Sequence, residues 1–116
     1  MTERETRTQW FTEARFGMFI HWGLYAITSG EWNGKLYDGP SSFLLKSANI
    51  TPKEWMKLMD RWNPTNFDAF RWAQMAKRMG VKYLKITTKH HDGFCLWPSA
   101  YSKYTVAQTP GKRDII

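Results

Sequence analysis

The chain has three histidines, and two of them are adjacent: His21 stands alone, while His90 and His91 form a pair. A neutral imidazole donates a hydrogen bond from one nitrogen and accepts one at the other, so a group of imidazoles suits a small ligand that is rich in hydroxyls. A single histidine near an apolar strand is more often a structural residue with satisfied hydrogen bonds. Three histidines at one edge of a sheet would weigh against that structural interpretation.

Metal binding is a second chemistry open to these side chains, because three imidazoles with an open fourth position form a catalytic zinc site. Neighbouring residues of a strand point to opposite faces, so His90 and His91 would share a metal only with a distorted backbone. The sequence also has no His-x-His pair. A metal-dependent hydrolase is therefore the weaker alternative, and we predict no metal ligands and no cofactor.

The tripeptide "GEW" carries a second possible binding signal in Glu31 and Trp32. A carboxylate accepts hydrogen bonds from sugar hydroxyls, and an indole offers both an N–H donor and a flat apolar face. A solvated glutamate beside a core tryptophan is the ordinary meaning of such a pair. Glu31 and Trp32 therefore become candidates only in combination with the histidines.

The elements that must position the histidines are two predicted strands. The apolar run over 15–23 ends at His21 and a glycine, which predicts a buried strand, and a β-branched and aromatic run over 83–88 leads to His90. Residues 24–51 show no sustained periodicity and are predicted to form a long loop. Three helices are predicted: one at the N-terminus capped by Thr2, one over 52–62 capped by Thr51, and one capped by Asn66 or Asp68 that stops at Gly80.

The order strand, loop, helices, strand predicts an α/β fold with a parallel pair of strands, which a right-handed crossover connects. Parallel strands present their C-terminal ends on the same side, so His21 should lie near His90 and His91, on the side where α/β folds bind ligands. Lys85 lies in the middle of the second strand, where an unpaired ammonium would be costly. We expect it to reach the strand end or to meet a carboxylate.

The bulk composition excludes several classes of partner. The net charge is +7, but the 17 basic residues are scattered along the 116-residue chain, which argues against nucleic-acid binding. No segment is apolar and long enough to suggest a membrane partner. The single Cys95 fits a reducing compartment, and the polar N-terminus "MTERETRTQ" has no apolar core of a secretory signal, so a cytoplasmic location is favoured.

Several segments in combination resemble a known family. These are "WFTEARFGMFIHWGLY", "GEW" and "KYLKITTKHHDGFCLWPSAYSKYTV", followed by "PGKRD". Together they resemble the N-terminal part of the catalytic domain of retaining α-L-fucosidases, from about Trp10 to the last residue. The resemblance implies an α/β fold that is the N-terminal fragment of a (β/α)8 barrel, in which residues 1–116 contain about two parallel strands and their connecting helices.

The resemblance also implies a substrate and a set of contacts. The full-length enzyme would hydrolyse terminal α-L-fucose from a small fucosylated glycan or glycoside with retention. His21, Glu31, Trp32, His90 and His91 would bind the hydroxyls of fucose, and no cofactor, nucleic acid or membrane is implied. The oligomeric state is left open. A non-catalytic sugar-binding module is the alternative from another functional class.

The catalytic groups themselves are expected outside this chain. Retaining glycosidases use two carboxyl groups about 5–5.5 Å apart, and in the family both come from later strands, so we expect them beyond Ile116. Asp92 precedes a glycine and is predicted to form a turn that holds the histidines through backbone hydrogen bonds. Two strands taken from a barrel leave open edges, so the isolated chain is expected to fold poorly or to self-associate.

Overall fold

The structure is a computed structural model that describes all residues, 1–116. The chain forms two compact units. Unit 1 consists of Met1–Ile20 and Phe67–Ile86, and unit 2 consists of His21–Asn66 and Thr87–Ile116. Each unit is therefore built from two stretches that are distant in the sequence.

The chain contains five α-helices and four short strands. The helices are α1 (Glu3–Ala14), α2 (Tyr25–Thr28), α3 (Leu44–Ser47), α4 (Pro52–Met56) and α5 (Ala69–Arg78), and the strands are β1 (Gly17–Ile20), β2 (Glu31–Trp32), β3 (Lys35–Leu36) and β4 (Tyr83–Ile86). Single 3₁₀ segments occur at Ser41–Phe43, Lys57–Arg61 and Val106–Gln108. None of the helices has both the length and the hydropathy needed to cross a bilayer.

Unit 1 contains the parallel pair that the sequence predicts. β1 pairs with β4 from Gly17 opposite Tyr83 to Ile20 opposite Ile86. The amide of Lys82 donates to the carbonyl of Phe16 at 2.8 Å and extends the pairing by one step. The mixed helix and strand architecture with two parallel strands is thereby confirmed.

The predicted helix signals are confirmed at each of the three longer helices. Thr2 and Thr51 each form a complete capping box at the start of α1 and α4. In each box the threonine hydroxyl oxygen accepts from the glutamate amide, and the glutamate carboxylate accepts from the threonine amide. Asp68, and not Asn66, caps α5 by accepting from the amide of Arg71 at 3.0 Å. Gly80 follows α5 with a φ of 81°, as predicted for a helix stop.

The prediction of a long loop over 24–51 is wrong. This stretch contains α2, the β2–β3 hairpin, a 3₁₀ segment and α3, each of two to four residues. Such elements are too short to generate a periodic pattern. The hairpin does carry a local signal, because Asn33 and Gly34 both have positive φ (51° and 77°), as an Asn-Gly hairpin turn requires.

Two predicted boundaries also differ from the structure. The helix predicted over 52–62 is α-helical only to Met56 and continues as a 3₁₀ segment to Arg61. The strand predicted over 83–88 ends at Ile86. Hydrogen-bond patterns change over one or two residues at element ends, which the sequence does not resolve.

The apolar core lies almost entirely in unit 2. Its buried apolar residues are Leu24, Tyr25, Leu44, Ile50, Trp55, Leu58, Met59, Trp62, Phe94, Cys95, Leu96, Val106 and Ile115. Unit 1 has one buried apolar residue, Ala76. Burial of apolar area is the main favourable term in folding, so unit 2 has the stronger packing contribution.

None of the strand residues of unit 1 is buried. The prediction of a buried strand over 15–23 is therefore wrong, whereas exposed apolar side chains are what the loss of neighbouring barrel strands predicts. Phe19 in β1 is 51% exposed and Leu84 in β4 is 45% exposed. This exposure explains the unusual Lys85, which neither reaches a carboxylate nor lies in an apolar interior. Its Nζ atom lies 4.5 Å from the centre of the Phe19 ring, in a cation–π contact at the surface.

The two capping boxes allow a matched test of whether a helix cap matters more when its helix carries a buried residue. We expect Thr51→Ala to lower the free energy of unfolding by about 1 kcal/mol, because α4 carries the buried Trp55. Thr2→Ala should cost less than about 0.5 kcal/mol, because α1 has no buried residue and can fray locally. Urea denaturation followed by circular dichroism measures both, and equal losses would contradict this explanation.

The exposed apolar side chains of α5 predict self-association. Phe70 and Met75 are 72% and 53% exposed on this helix. In sedimentation equilibrium we expect the apparent mass to rise with protein concentration and to fall toward the monomer in the variant Phe70→Lys/Met75→Lys. Gln74→Lys, which adds charge on the same helix without removing an apolar side chain, is the control. A wild-type chain that stays monomeric would refute the prediction.

Candidate functional site

The three histidines meet in unit 2, as the parallel strand order predicts. His21 directly follows β1, and its ring centre lies 5.4 Å from that of His90. The ring of His91 lies 4.4 Å from the ring of His90 at a near-perpendicular angle of 87°. The structure therefore brings all three imidazoles into one cluster, while their contact with a ligand stays a prediction.

An open cleft of about 420 Å³ lies beside this cluster. It is lined by His21, Tyr25, Pro40, Ser41, Ser42, Phe43 and His90. The rings of Tyr25 and Phe43 lie 5.5 Å and 6.4 Å from that of His90. The cleft thus combines imidazole and serine groups for hydrogen bonds with two aromatic rings, and this mixture suits a small ligand with polar and apolar faces.

Two hydrogen bonds between distant parts of the chain hold Tyr25 and its neighbour Trp22 in place. The hydroxyl of Thr87 accepts from the amide of Trp22 and shares a second hydrogen bond with the phenol of Tyr25, both at 3.4 Å. Tyr25 is buried, and this burial raises the pKa of its phenol despite the hydrogen bond with Thr87. The phenol therefore stays protonated at neutral pH.

His90 is held in its neutral form. Burial lowers its pKa below the ordinary value for histidine, and the charges of His91 and then His21 lower it further, while Asp92 acts in the opposite direction. The Nδ1 atom of His90 is buried without a hydrogen-bond partner. A neutral imidazole both donates and accepts, which is what recognition of a hydroxyl requires.

The turn after the histidine pair is organised by Asp92, as the sequence predicts. One carboxylate oxygen, Oδ1, accepts from the amide of Phe94 at 3.1 Å, and the amide of Gly93 donates to the carbonyl of His90 at 3.1 Å. Gly93 has a φ of 80°, which a residue with a side chain rarely adopts. The other oxygen, Oδ2, accepts from Nε1 of Trp55 at 3.0 Å, a contact that the sequence does not indicate.

Glu31 and Trp32 lie in a different cleft from the histidines. They form β2, and with Ile27, Thr28, Asn33, Leu58 and Arg61 they line an open cleft of about 430 Å³. The ring of Trp32 packs on that of Trp55 with centres 6.0 Å apart. The connection from Trp32 to the histidine turn therefore runs through Trp55 and its hydrogen bond to Asp92.

Three residues near the candidate site were not predicted from the sequence: Tyr25, Phe43 and Trp55. Tyr25 and Phe43 lie on short elements within the stretch that was predicted as a loop, so no pattern indicated their direction. The helical pattern explains Trp55 as an apolar residue that faces the core. The one signal of a further role is its indole N–H, because a buried indole N–H usually has a hydrogen-bond acceptor. No group of three or more His, Cys, Asp or Glu residues is arranged to hold a metal ion.

Comparisons with known proteins give one consistent result. A family model described as alpha-L-fucosidase matches residues 1–116. The chain is 33% identical over 114 residues to the plasma alpha-L-fucosidase of Homo sapiens, covering 92% of this chain and 24% of that protein. It is 40% identical over 103 residues to alpha-L-fucosidase 1 of Arabidopsis thaliana, covering 85% of this chain and 16% of that protein. The chain thus spans about a quarter or less of these relatives.

Solved structures resemble the chain in fold as well as in sequence. An α-L-fucosidase from Bacteroides thetaiotaomicron matches with a TM-score of 0.91 and 66% identity, over 93% of this chain and 24% of that one. An α-L-fucosidase from Lactobacillus casei in complex with α-L-fucose product matches with a TM-score of 0.89 and 39% identity, over 93% of this chain and 33% of that one.

The lowered pKa of His90 predicts a loss of stability on acidification. In the unfolded chain a histidine has a pKa of about 6.5. Below that pH, His90 binds a proton more readily in the unfolded chain than in the folded one, so the free energy of unfolding decreases as the pH is lowered. We expect the free energy of unfolding to decrease between pH 7.5 and 5.5. For a single titrating group this decrease is at most about 1.4 kcal/mol per pH unit. This window lies above the titration of Glu5 and Glu54, whose pKa values are lowered by hydrogen bonds within their capping boxes.

Urea denaturation at the two pH values tests the role of His90. The variant His90→Gln should have a smaller pH dependence than the wild type, because glutamine has no proton to gain. An identical pH dependence in both proteins would contradict the assignment to His90.

Proposed function

Because the chain belongs to the α-L-fucosidase family, we propose that it forms part of an enzyme that hydrolyses terminal α-L-fucosides of glycoconjugates with retention of configuration. The family membership supports the reaction class. The cluster of His21, His90 and His91 beside an open cleft carries the proposal, because it supplies adjacent hydrogen-bonding groups for a small polyhydroxylated ligand.

We propose that residues 1–116 are an N-terminal portion of one catalytic (β/α)8 barrel. The parallel pairing of β1 with β4 supports this proposal, because parallel strands joined by helices are the repeating unit of such barrels. The exposure of Phe19 and Leu84 also supports it, since barrel strands are covered on both faces in a complete fold. TM-scores of about 0.9 with solved fucosidases point in the same direction.

Fucose is the sugar that we propose for the histidine cleft. His21 and His90 line this cleft, and the ring of His91 contacts that of His90 without lining the cleft itself. All three are proposed to bind the sugar hydroxyls, with neutral His90 able to donate to one hydroxyl and to accept from another. The rings of Tyr25 and Phe43 offer apolar contact to the C–H groups and the methyl group of a deoxy sugar.

Glu31 and Trp32 are also proposed to contact fucose. The support is chemical, since a carboxylate accepts from hydroxyls and an indole packs on a sugar face. Both residues line an open cleft, which in this chain is separate from the histidine cleft. Trp32 contacts Trp55, which connects it to the turn that carries His90 and His91.

We propose that the two catalytic carboxyl groups are supplied by residues outside 1–116. Neither an aspartate nor a glutamate lines the histidine cleft. Asp92 is adjacent to His91, but both of its oxygens accept hydrogen bonds from other groups of the protein. The chain would therefore supply recognition of the sugar and not the displacement chemistry of a retaining glycosidase.

Binding of the free sugar tests the histidine cleft. In isothermal titration calorimetry we expect saturable binding of L-fucose and none of its mirror image, D-fucose. His90→Ala and His91→Ala should each weaken binding by about three- to tenfold, the effect of losing one net hydrogen bond. Equal binding of the two enantiomers would contradict recognition at this cleft.

Hydrolysis tests the location of the carboxyl groups. We expect no cleavage of an aryl α-L-fucoside above background by the 116-residue chain, because the loss of catalytic groups lowers rates by many powers of ten. Release of the aryl alcohol is followed by absorbance. Turnover that co-purifies with the chain and disappears in His90→Ala would overturn the proposal.

A further inference from the structure

We propose that Trp55 and Asp92 are positioning residues that hold the His90–His91 pair and Trp32 in one fixed arrangement for sugar binding. The proposal rests on the proposed function, because it assigns a role in the same recognition of fucose. Neither residue lines the histidine cleft. Their effect would therefore be exerted through the residues that they hold.

The carboxylate of Asp92 is the centre of this arrangement. Its two oxygens have separate donors, Nε1 of Trp55 at 3.0 Å and the amide of Phe94 at 3.1 Å. The turn needs only the second of these hydrogen bonds. The indole hydrogen bond is additional, and it ties the residue after His91 to a helix that lies 37 positions earlier in the chain.

Trp55 contacts the second part of the candidate site as well. It is 1% exposed, so its ring is fixed by packing on all sides. The ring of Trp32 packs on it at 6.0 Å between centres, with 34° between the planes. A single buried indole is thus in contact with the turn of the histidine pair and with the hairpin residue Trp32.

The hydrogen bond is not a general consequence of burying a tryptophan in this chain. Trp62 is also buried, at 3% exposure, and packs between Trp22 and Phe94, yet its Nε1 atom has no hydrogen-bond partner. Trp55 and Trp62 therefore differ in one respect that matters here. Only Trp55 places its N–H on a charged acceptor beside the histidines.

Displacement of Asp92 would affect the imidazoles in two ways. The first is the backbone, because the amide of Gly93 donates to the carbonyl of His90 within the same turn. The second is electrostatic: the negative charge of Asp92 acts against the groups that lower the pKa of His90, namely burial, His91 and His21. A change at Trp55 should therefore alter both sugar affinity and histidine titration.

The experiment compares Trp55→Phe and Asp92→Asn, alone and together, with the matched control Trp62→Phe. Phenylalanine removes the N–H and keeps an aromatic ring, while asparagine keeps an oxygen for the amide of Phe94 and loses the charge. Calorimetry with L-fucose gives the affinity. Hydrogen–deuterium exchange at the imidazole C2 carbons, read by peptide mass spectrometry, gives the pKa of each histidine.

We expect Trp55→Phe and Asp92→Asn each to weaken L-fucose binding by about tenfold, and the double variant to be no weaker than Asp92→Asn alone, because that variant has already lost the hydrogen bond between the indole and the carboxylate. Trp62→Phe should change affinity by less than about twofold. The pKa of His90 should fall in Asp92→Asn and change in Trp55→Phe, but not in Trp62→Phe. Additive losses, or an equal loss in Trp62→Phe, would overturn the proposal.

Two further outcomes are decided by the same measurements. If the wild-type chain does not bind L-fucose, the proposed function fails, and the positioning role is then judged on the pKa of His90 alone. A change in that pKa confined to the Trp55 and Asp92 variants supports the positioning role, and no change overturns it.

If Trp55→Phe does not fold, benzothienylalanine at position 55 replaces the N–H by sulfur at nearly constant volume. Wild-type affinity and titration in that protein would overturn the proposal.

Discussion

A partly buried carboxylate must be paired, and this requirement organises the candidate site of unit 2. Asp92 is partly buried in its turn, and each of its carboxylate oxygens accepts a hydrogen bond from the protein. An unpaired oxygen at this position would cost more than an ordinary surface contact. The need to pair one charge thus connects α4, the histidine turn and, through the Trp55 ring, the β2–β3 hairpin.

The two units are stabilised by different interactions. Unit 2 buries nearly all of the apolar core, including Trp55 and Phe94, so packing dominates its stability. Unit 1 relies on the hydrogen-bonded pairing of β1 with β4 and on helix caps, with Ala76 as its one buried apolar residue. Regions with few buried apolar contacts open more readily than packed ones. We therefore expect unit 1 to be the less protected part of the chain.

The histidine cleft is suited to recognition more than to bond cleavage. His90 is neutral because burial and the neighbouring imidazoles oppose its protonation, and it can therefore act as donor and acceptor at once. The residues that line the cleft include serines and aromatic rings but no carboxylate. This composition agrees with membership of a glycosidase family in which binding of the sugar and attack on the glycosidic bond use different side chains.

The sequence by itself determined the features that depend on neighbouring residues or on strand order: the capping box of Thr51, the parallel strands, and the meeting of His21 with His90. Tertiary structure alone decided that Trp55 would hydrogen bond to Asp92 and that Glu31 and Trp32 would line a different cleft from the histidines. The physical reason is that caps and turns are formed by groups a few bonds apart. Burial, and the pairing of a partly buried charge, are instead set by whatever distant part of the chain covers that surface.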